Sequence, residues 1–184
     1  MKINFTRDLY DIFQDAASEA LRTGYTLIGV DHVMLALLRR KGSPACRLLR
    51  SMGIDCAEMK DYIDSVIFRP EALPYDALES IRPGRDADKL LCISIYEAIK
   101  AGDTAVRPVH VVLAACRTAG SASAVFLYEH GLDYDIVLHH CSSHGLLDSG
   151  KESDAEQARK ILRAVGEGIA RTMDPEDSSQ IYPS

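Results

Sequence analysis

Four side chains in one short run carry metal-ligand chemistry: His139, His140, Cys141 and His144. On a helix His140 and His144 stand four residues apart on one face, a spacing at which two imidazoles can share an ion. Only three or four ligands are on offer, and no carboxylate is fixed beside them. A helix end rich in histidine is the plainer reading, so no metal and no other cofactor is expected. A metal-binding protein or an enzyme built on His139–His144 is the alternative.

Thr6 and Asp31 are the second candidates. Thr6 has the residue type of an N-cap, which leaves the backbone N–H groups of Arg7 and Asp8 facing outward and favourable to an anion. Asp31 falls in the first turn of a second helix, where a carboxylate complements the helix dipole. Next to it stands His32, which has a counterpart in His110. An imidazole near the first turn of a helix commonly bonds the adjoining loop backbone, and no nucleophile or acid accompanies either histidine. Both are read as structural. Cys46 and Cys116 have no histidine at a spacing that would activate them. Gly145–Lys151 fits G-x-x-x-x-G-K, yet Glu152 stands where a hydroxyl must reach magnesium, and no strand precedes the run. It is a chance match.

These residues sit on a duplicated frame. Displaced by 78 positions, Glu19–Asp55 aligns without a gap on Glu97–Asp133, and 14 of the 37 pairs are identical. Among them are Glu19/Glu97, Gly24/Gly102, His32/His110, Gly42/Gly120 and Gly53/Gly131. A gapless repeat of this length marks a duplicated unit whose copies pack on each other. It also aligns Cys141 with Ile63, a core position, which weakens the metal reading further.

Apolar residues recur at helical spacing throughout. Leu9, Ile12, Phe13, Ala16 and Ala20 form one buried face, ended by Gly24. A second helix runs from about Val30 to Arg40, and Pro108 takes the matching first turn in the other copy. Ser43-Pro44 opens a short third helix that closes before Gly53. Asp55 with Glu58 opens a fourth, with Met59, Tyr62, Ile63 and Val66 on one side. Ser121, Gly131 and Asp133 repeat this punctuation. The expected fold is all-α, two pseudo-twofold-related four-helix repeats over residues 5–67 and 85–144. A linker over 68–84, marked by Pro70, Pro74 and Pro83, joins them into one domain over 1–144. No strand pattern stands out. Residues 145–184 read as a polar loop, an additional helix over 153–172 and an acidic tail. The added helix carries an apolar stripe of Ala158, Ile161, Leu162, Val165 and Ile169. Packing back on the domain is its expected role, with homo-oligomerisation through it as the other option.

Charge and composition exclude some classes. The 184 residues carry 21 basic against 27 acidic side chains, a net charge of −6, and no basic run stands out. Nucleic acid, which needs clustered Lys and Arg, is therefore not an expected partner. No apolar run approaches the roughly 20 residues of a membrane span, and no signal-peptide core follows Met1. The five cysteines read as buried free thiols in a reducing cytoplasm.

The run Phe5-Thr6-Arg7, then Glu19-Ala20 and Gly24-Tyr25, then Ile28-Gly29-Val30-Asp31-His32-Val33-Met34-Leu35-Ala36-Leu37 resembles the Clp N-terminal (Clp-N) repeat. That paired helical module stands at the front of ClpA-, ClpB- and ClpC-type unfoldases. Its pattern reads F-T-x-x-A, G-H/Y and I-G-T-E-H-L-L-L-G-L-L. Leu48–Asp55 resembles the family's L-x-x-L-G-V-D ending. The likeness covers residues 5 to 67 well and 86 to 141 more loosely. It implies a non-catalytic module for polypeptide recognition, binding a substrate or a Clp ATPase or protease component, here free-standing without ATPase modules. In ClpC-like members the threonine and glutamate matching Thr6 and Asp31 are implicated in holding phosphorylated arginine. In this chain the glutamate is shortened to Asp31 and the preceding threonine is Val30. In the second repeat Gly84 and Val109 replace both groups. The resemblance thus implies that a phosphoarginine or anion site, if kept, lies in repeat one, at Thr6, Arg7 and Asp31.

Overall fold

Between Arg7 and Ser143 eight α-helices form among the described residues, where the periodicity places them. The computed structural model describes residues 4–71, 73–147 and Arg163. The first repeat contains α1 (Arg7–Thr23), α2 (Val30–Arg39), α3 (Pro44–Ser51) and α4 (Cys56–Ile67). The second contains α5 (Arg85–Lys100), α6 (Pro108–Cys116), α7 (Ala122–Glu129) and α8 (Tyr134–Ser143). A 3-10 helix over Tyr75–Ser80 occupies the linker.

The helix starts follow their capping residues. Ser43 Oγ accepts the Cys46 N–H at 3.1 Å, and Ser121 Oγ accepts that of Ala124 at the same distance. Asp55 and Asp133 do the same for Ala57 at 2.7 Å and Ile136 at 2.9 Å. Each such cap stabilises its helix by about 1 kcal/mol. Gly24 ends α1 at φ 85°, where the Tyr25 N–H returns to Ala20 O at 2.8 Å. A Cβ at position 24 would stand 3.0 Å from Glu71 O, so both backbone conformation and space require glycine there.

The expectation of no strands is corrected. β1 (Asn4–Phe5) pairs in parallel with β4 (Ala105–Val106), and β2 (Leu27–Ile28) pairs in parallel with β3 (Arg82–Pro83). Two-residue strands are too short to write an alternating pattern, so nothing in the sequence announces them. Their arrangement matters more than their length. Each ladder joins the segment before the first helix of one repeat to the segment before the second helix of the other.

α2 and α6 are the central helices. Val30 and His32 through Leu38 are buried in α2, as are Pro108 through Ala115 in α6. α1 covers α2, α5 covers α6, and α4 packs on α7 across the repeats, so both copies contribute to one apolar cluster. Among the described residues three carboxylates are buried, Asp103 and the repeat-related Glu19 and Glu97, each at most 3% exposed. A buried charge must be paired. Glu19 takes Arg39 at 2.6 Å, and Glu97 takes Arg117 at 2.7 Å and the Tyr134 hydroxyl at 2.7 Å. Arg39 and Arg117 are equivalent in the repeat, so one ion pair ties first helix to second in both copies.

Of the cysteines, Cys46, Cys56 and Cys141 are buried and Cys116 is half-buried, whereas Cys92 is exposed. The expectation of buried thiols fails there because α5 turns Leu90, Ser94 and Glu97 inward, leaving Cys92 outside. The helix expected over 153–172 and the tail lie outside the described residues, apart from Arg163, which is helical and exposed. Among the described residues no helix is long and apolar enough to cross a membrane.

Candidate functional site

The two ladders bring helix N-termini together in pairs, and a cavity opens at each junction. The larger, about 520 Å³, lies where α2 and α5 begin. Ile28 through His32 form one wall, Gly84, Arg85 and Lys89 another, and Thr118 through Ser121 close it. Gly84 N donates to Ile28 O at 2.9 Å, and a Cβ at position 84 would stand 2.9 Å from that same oxygen. Only glycine lets α5 start this close to α2. The smaller cavity, about 120 Å³, lies where α1 and α6 begin and is lined by Thr6, Asp8, Pro44, Leu48, Pro108 and Val109, among others.

Thr6 and Asp31, expected side by side, line different cavities. This is a correction with a topological cause: β1 pairs with β4, not with β2, so Thr6 shares its cavity with Val109 of the other repeat. Asp31 correspondingly shares its cavity with Gly84. Each cavity therefore holds one retained member of the pair beside one lost member.

Asp31 is also engaged. Its carboxylate accepts the N–H groups of Ala122 at 3.0 Å and Ser123 at 2.8 Å, and the Ser123 hydroxyl as well. It caps α7 of the second repeat. Thr6 occupies the N-cap position of α1 in extended conformation, but its hydroxyl makes no cap bond and is buried without a partner. The expectation of a Thr6 side-chain cap is corrected accordingly. Arg7 is exposed at the start of α1.

The repeated histidines do what their position suggests. His32 Nδ1 accepts the Gly29 N–H at 2.8 Å, and His110 Nδ1 accepts that of Arg107 at 3.0 Å. Their other nitrogens differ. His110 Nε2 donates to Asp103 at 2.8 Å, and Asp103 also holds Arg107. In the first repeat Tyr25 replaces Asp103 and sets its ring edge-on to His32, with centroids 4.9 Å apart. His32 Nε2 is left buried without a partner. Burial pushes the His32 imidazole down to about 4, so the ring is neutral over most of the pH scale that matters.

The C-terminal histidines form no ligand set. His140 and His144 stack with centroids 4.0 Å apart, and His140 Nε2 meets Ser51 Oγ at 2.9 Å. Cys141 is fully buried, its thiol pushed up to about 11 by that burial. Among the described residues no three His, Cys, Asp or Glu side chains converge as a metal site. The Gly145–Lys151 match runs past Leu147, outside the described residues.

The fold and its cavities define a helical double-repeat domain whose concave sites lie on the seams between repeats. The model of the Clp repeat (R) N-terminal domain matches residues 4–130. The chain belongs to that family. It is 27% identical over 128 residues to the negative regulator of genetic competence ClpC/MecB of Bacillus subtilis, covering 70% of this chain and 15% of that protein. Chaperone protein ClpB of Oceanobacillus iheyensis is 26% identical, again over 70% of this chain and 15% of the relative. The chain thus spans about 15% of the length of these curated relatives. Among solved structures, the N-domain of ClpV from Vibrio cholerae superposes with a TM-score of 0.62 at 19% identity, over 82% of this chain and 89% of that one. The N-terminal domain of ClpD from Arabidopsis thaliana gives 0.58 at 13% identity, over 77% and 96%.

Proposed function

We propose that this chain is a non-catalytic polypeptide-binding module that engages either a substrate or a Clp-type ATPase or protease component, in the role of an accessory or adaptor. The observation that supports this most is the 520 Å³ cavity on the seam of a Clp repeat domain. Its size suits a side chain or short peptide segment. The start of α5 has no side-chain cap, so first-turn N–H groups are available to carbonyl or anionic groups of an extended chain. Arg85 and Lys89 on the same wall add positive charge that outnumbers the one carboxylate there, Asp86.

A phosphorylated arginine is the finer proposal for the ligand. It needs N–H donors for the phosphate and a carboxylate for the guanidinium. The Asp31 cavity has both, although the carboxylate already accepts three hydrogen bonds. The Thr6 cavity has uncapped donors at Arg7 and Asp8, carries Val109 in place of the carboxylate, and has Asp8 at its wall. Weak binding is expected, centred on Asp31.

Capture from the native cell lysate on immobilised full chain, read by mass spectrometry, tests the accessory role. The expected result is enrichment of Clp ATPase or protease components, or of their substrates, which an Arg85→Glu/Lys89→Glu variant loses. An identical set on both baits would overturn the assignment to this cavity.

A further inference from the structure

A second groove opens on the opposite seam. The 120 Å³ cavity at the starts of α1 and α6 adjoins another of about 220 Å³ beside α3 and α8, and Pro44, Leu48 and Leu146 line both. The floor is apolar, completed by Pro108 and Val109, and Arg47 stands on the rim.

The chain itself leaves from this groove. Leu146 forms part of its wall, its N–H returning to Cys141 O at 2.9 Å and its carbonyl taking Arg107 Nη2 at 2.9 Å. Leu147, only 7% exposed, packs into the core next to it. The following 37 residues therefore begin at the groove's edge. Among them Ala158, Ile161, Leu162, Val165 and Ile169 fall on one helical face, about 16 Å long at the helical rise of roughly 1.5 Å per residue. Ser153 and Glu156 have the spacing of a capping box that would start such a helix. Arg163, helical and exposed, lies off that stripe. Glu152, Asp154 and Glu156 precede the stripe and complement the charge of Arg47.

We propose that residues 153–172 dock in cis on this groove, placing Ile161 and Leu162 over Pro44 and Leu48. The five residues from 148 to 152 reach at most about 18 Å, enough to return to a groove that starts at Leu147. So short a tether holds the segment at an effective concentration of the order of millimolar, which favours this chain's own segment over that of a second copy. The groove is distinct from the Asp31 cavity, so this proposal stands or falls independently of polypeptide binding there.

The sequence contains no tryptophan, which makes an Ile161→Trp full-length variant, excited selectively over the tyrosines, a single-tryptophan reporter. The expected result is blue-shifted emission and acrylamide quenching several-fold weaker than in urea, unchanged across a hundredfold range of protein concentration. Adding Pro44→Asp puts a charge on the exposed first turn of α3 without touching the core, and is expected to restore solvent-like emission and quenching while the circular dichroism stays helical. Solvent-like tryptophan in the single variant would overturn the proposal. So would protection that depends on concentration, which means a second copy, or protection that Pro44→Asp leaves intact, which means docking elsewhere.

Discussion

Asp31 in α2 accepts the backbone N–H of Ser123 at 2.8 Å, so a side chain of the first repeat caps a helix of the second across 92 positions of sequence. Its repeat partner Val109 cannot reciprocate. The strut is therefore one-sided, and the residue that resemblance marks for ligand binding contributes first to joining the repeats.

Replacing Asp31 with Ala removes three acceptor contacts and leaves the Ala122 and Ser123 N–H groups of α7 without a side-chain acceptor, while Ser121 still caps that of Ala124. A loss of about 1–3 kcal/mol is expected, and Asp31→Asn, which keeps one acceptor oxygen, loses less. Urea denaturation followed by circular dichroism measures both. An unchanged midpoint in Asp31→Ala would mean that solvent caps α7 equally well.

The same strut, the two inter-repeat ladders and the α4–α7 contact argue that neither repeat stands alone. Each is about 60 residues, a size at which an isolated core is marginal. One calorimetric transition is expected for the described domain, with van't Hoff and calorimetric enthalpies in agreement. Two separated transitions would contradict it.

His32 makes stability depend on pH. Its Nδ1 must be unprotonated to accept the Gly29 N–H, and burial holds its pKa at about 4 against an ordinary 6.5. Between these values the unfolded chain binds more protons than the folded one. Stability therefore rises with pH through that window and falls on acidification, by at most roughly 3 kcal/mol from this residue. Burial lowers the His110 pKa too, with Asp103 opposing, so its contribution has the same sign. His32→Gln is expected to flatten the pH profile between about 4 and 6.5. An NMR titration showing His32 protonating near 6.5 in the folded protein would refute the assignment.

Val109 faces Thr6 across the smaller cavity. Val109→Glu restores a carboxylate opposite uncapped helix N–H groups. Calorimetric titration of phosphoarginine into Val109→Glu in the Pro44→Asp background, which frees this cavity of the 153–172 segment, is expected to give about tenfold tighter binding than Pro44→Asp alone, the equivalent of one charge-assisted hydrogen bond of about 1.5 kcal/mol. No change would remove the Thr6 cavity as a phosphoarginine site.

Helix boundaries were legible because caps and periodicity are local: Ser43, Asp55, Ser121 and Asp133 announce their helices, and Gly24 ends one. Repeat architecture was legible from the paired glycines and histidines. The site was not, because which N-terminus meets which depends on four two-residue strands with no pattern of their own. Aligning Thr6 with Gly84 and Asp31 with Val109 exposes what each repeat lost. It carries no information that the repeats exchange partners. Tyr25 opposite Asp103 is a signal sequence comparison could have caught, since it separates a histidine with a carboxylate partner from one without.

Binding of an unfolded polypeptide to the Asp31 cavity is the central claim. Fluorescence anisotropy of a labelled, permanently unfolded polypeptide titrated with the full chain tests it most directly, with Arg85→Glu/Lys89→Glu as the comparison. Saturable binding that this variant weakens at least about tenfold, the loss of roughly 1.4 kcal/mol, is the predicted result. Saturable binding of equal strength to both proteins, or no binding to the wild type at concentrations where the domain is folded, would contradict it.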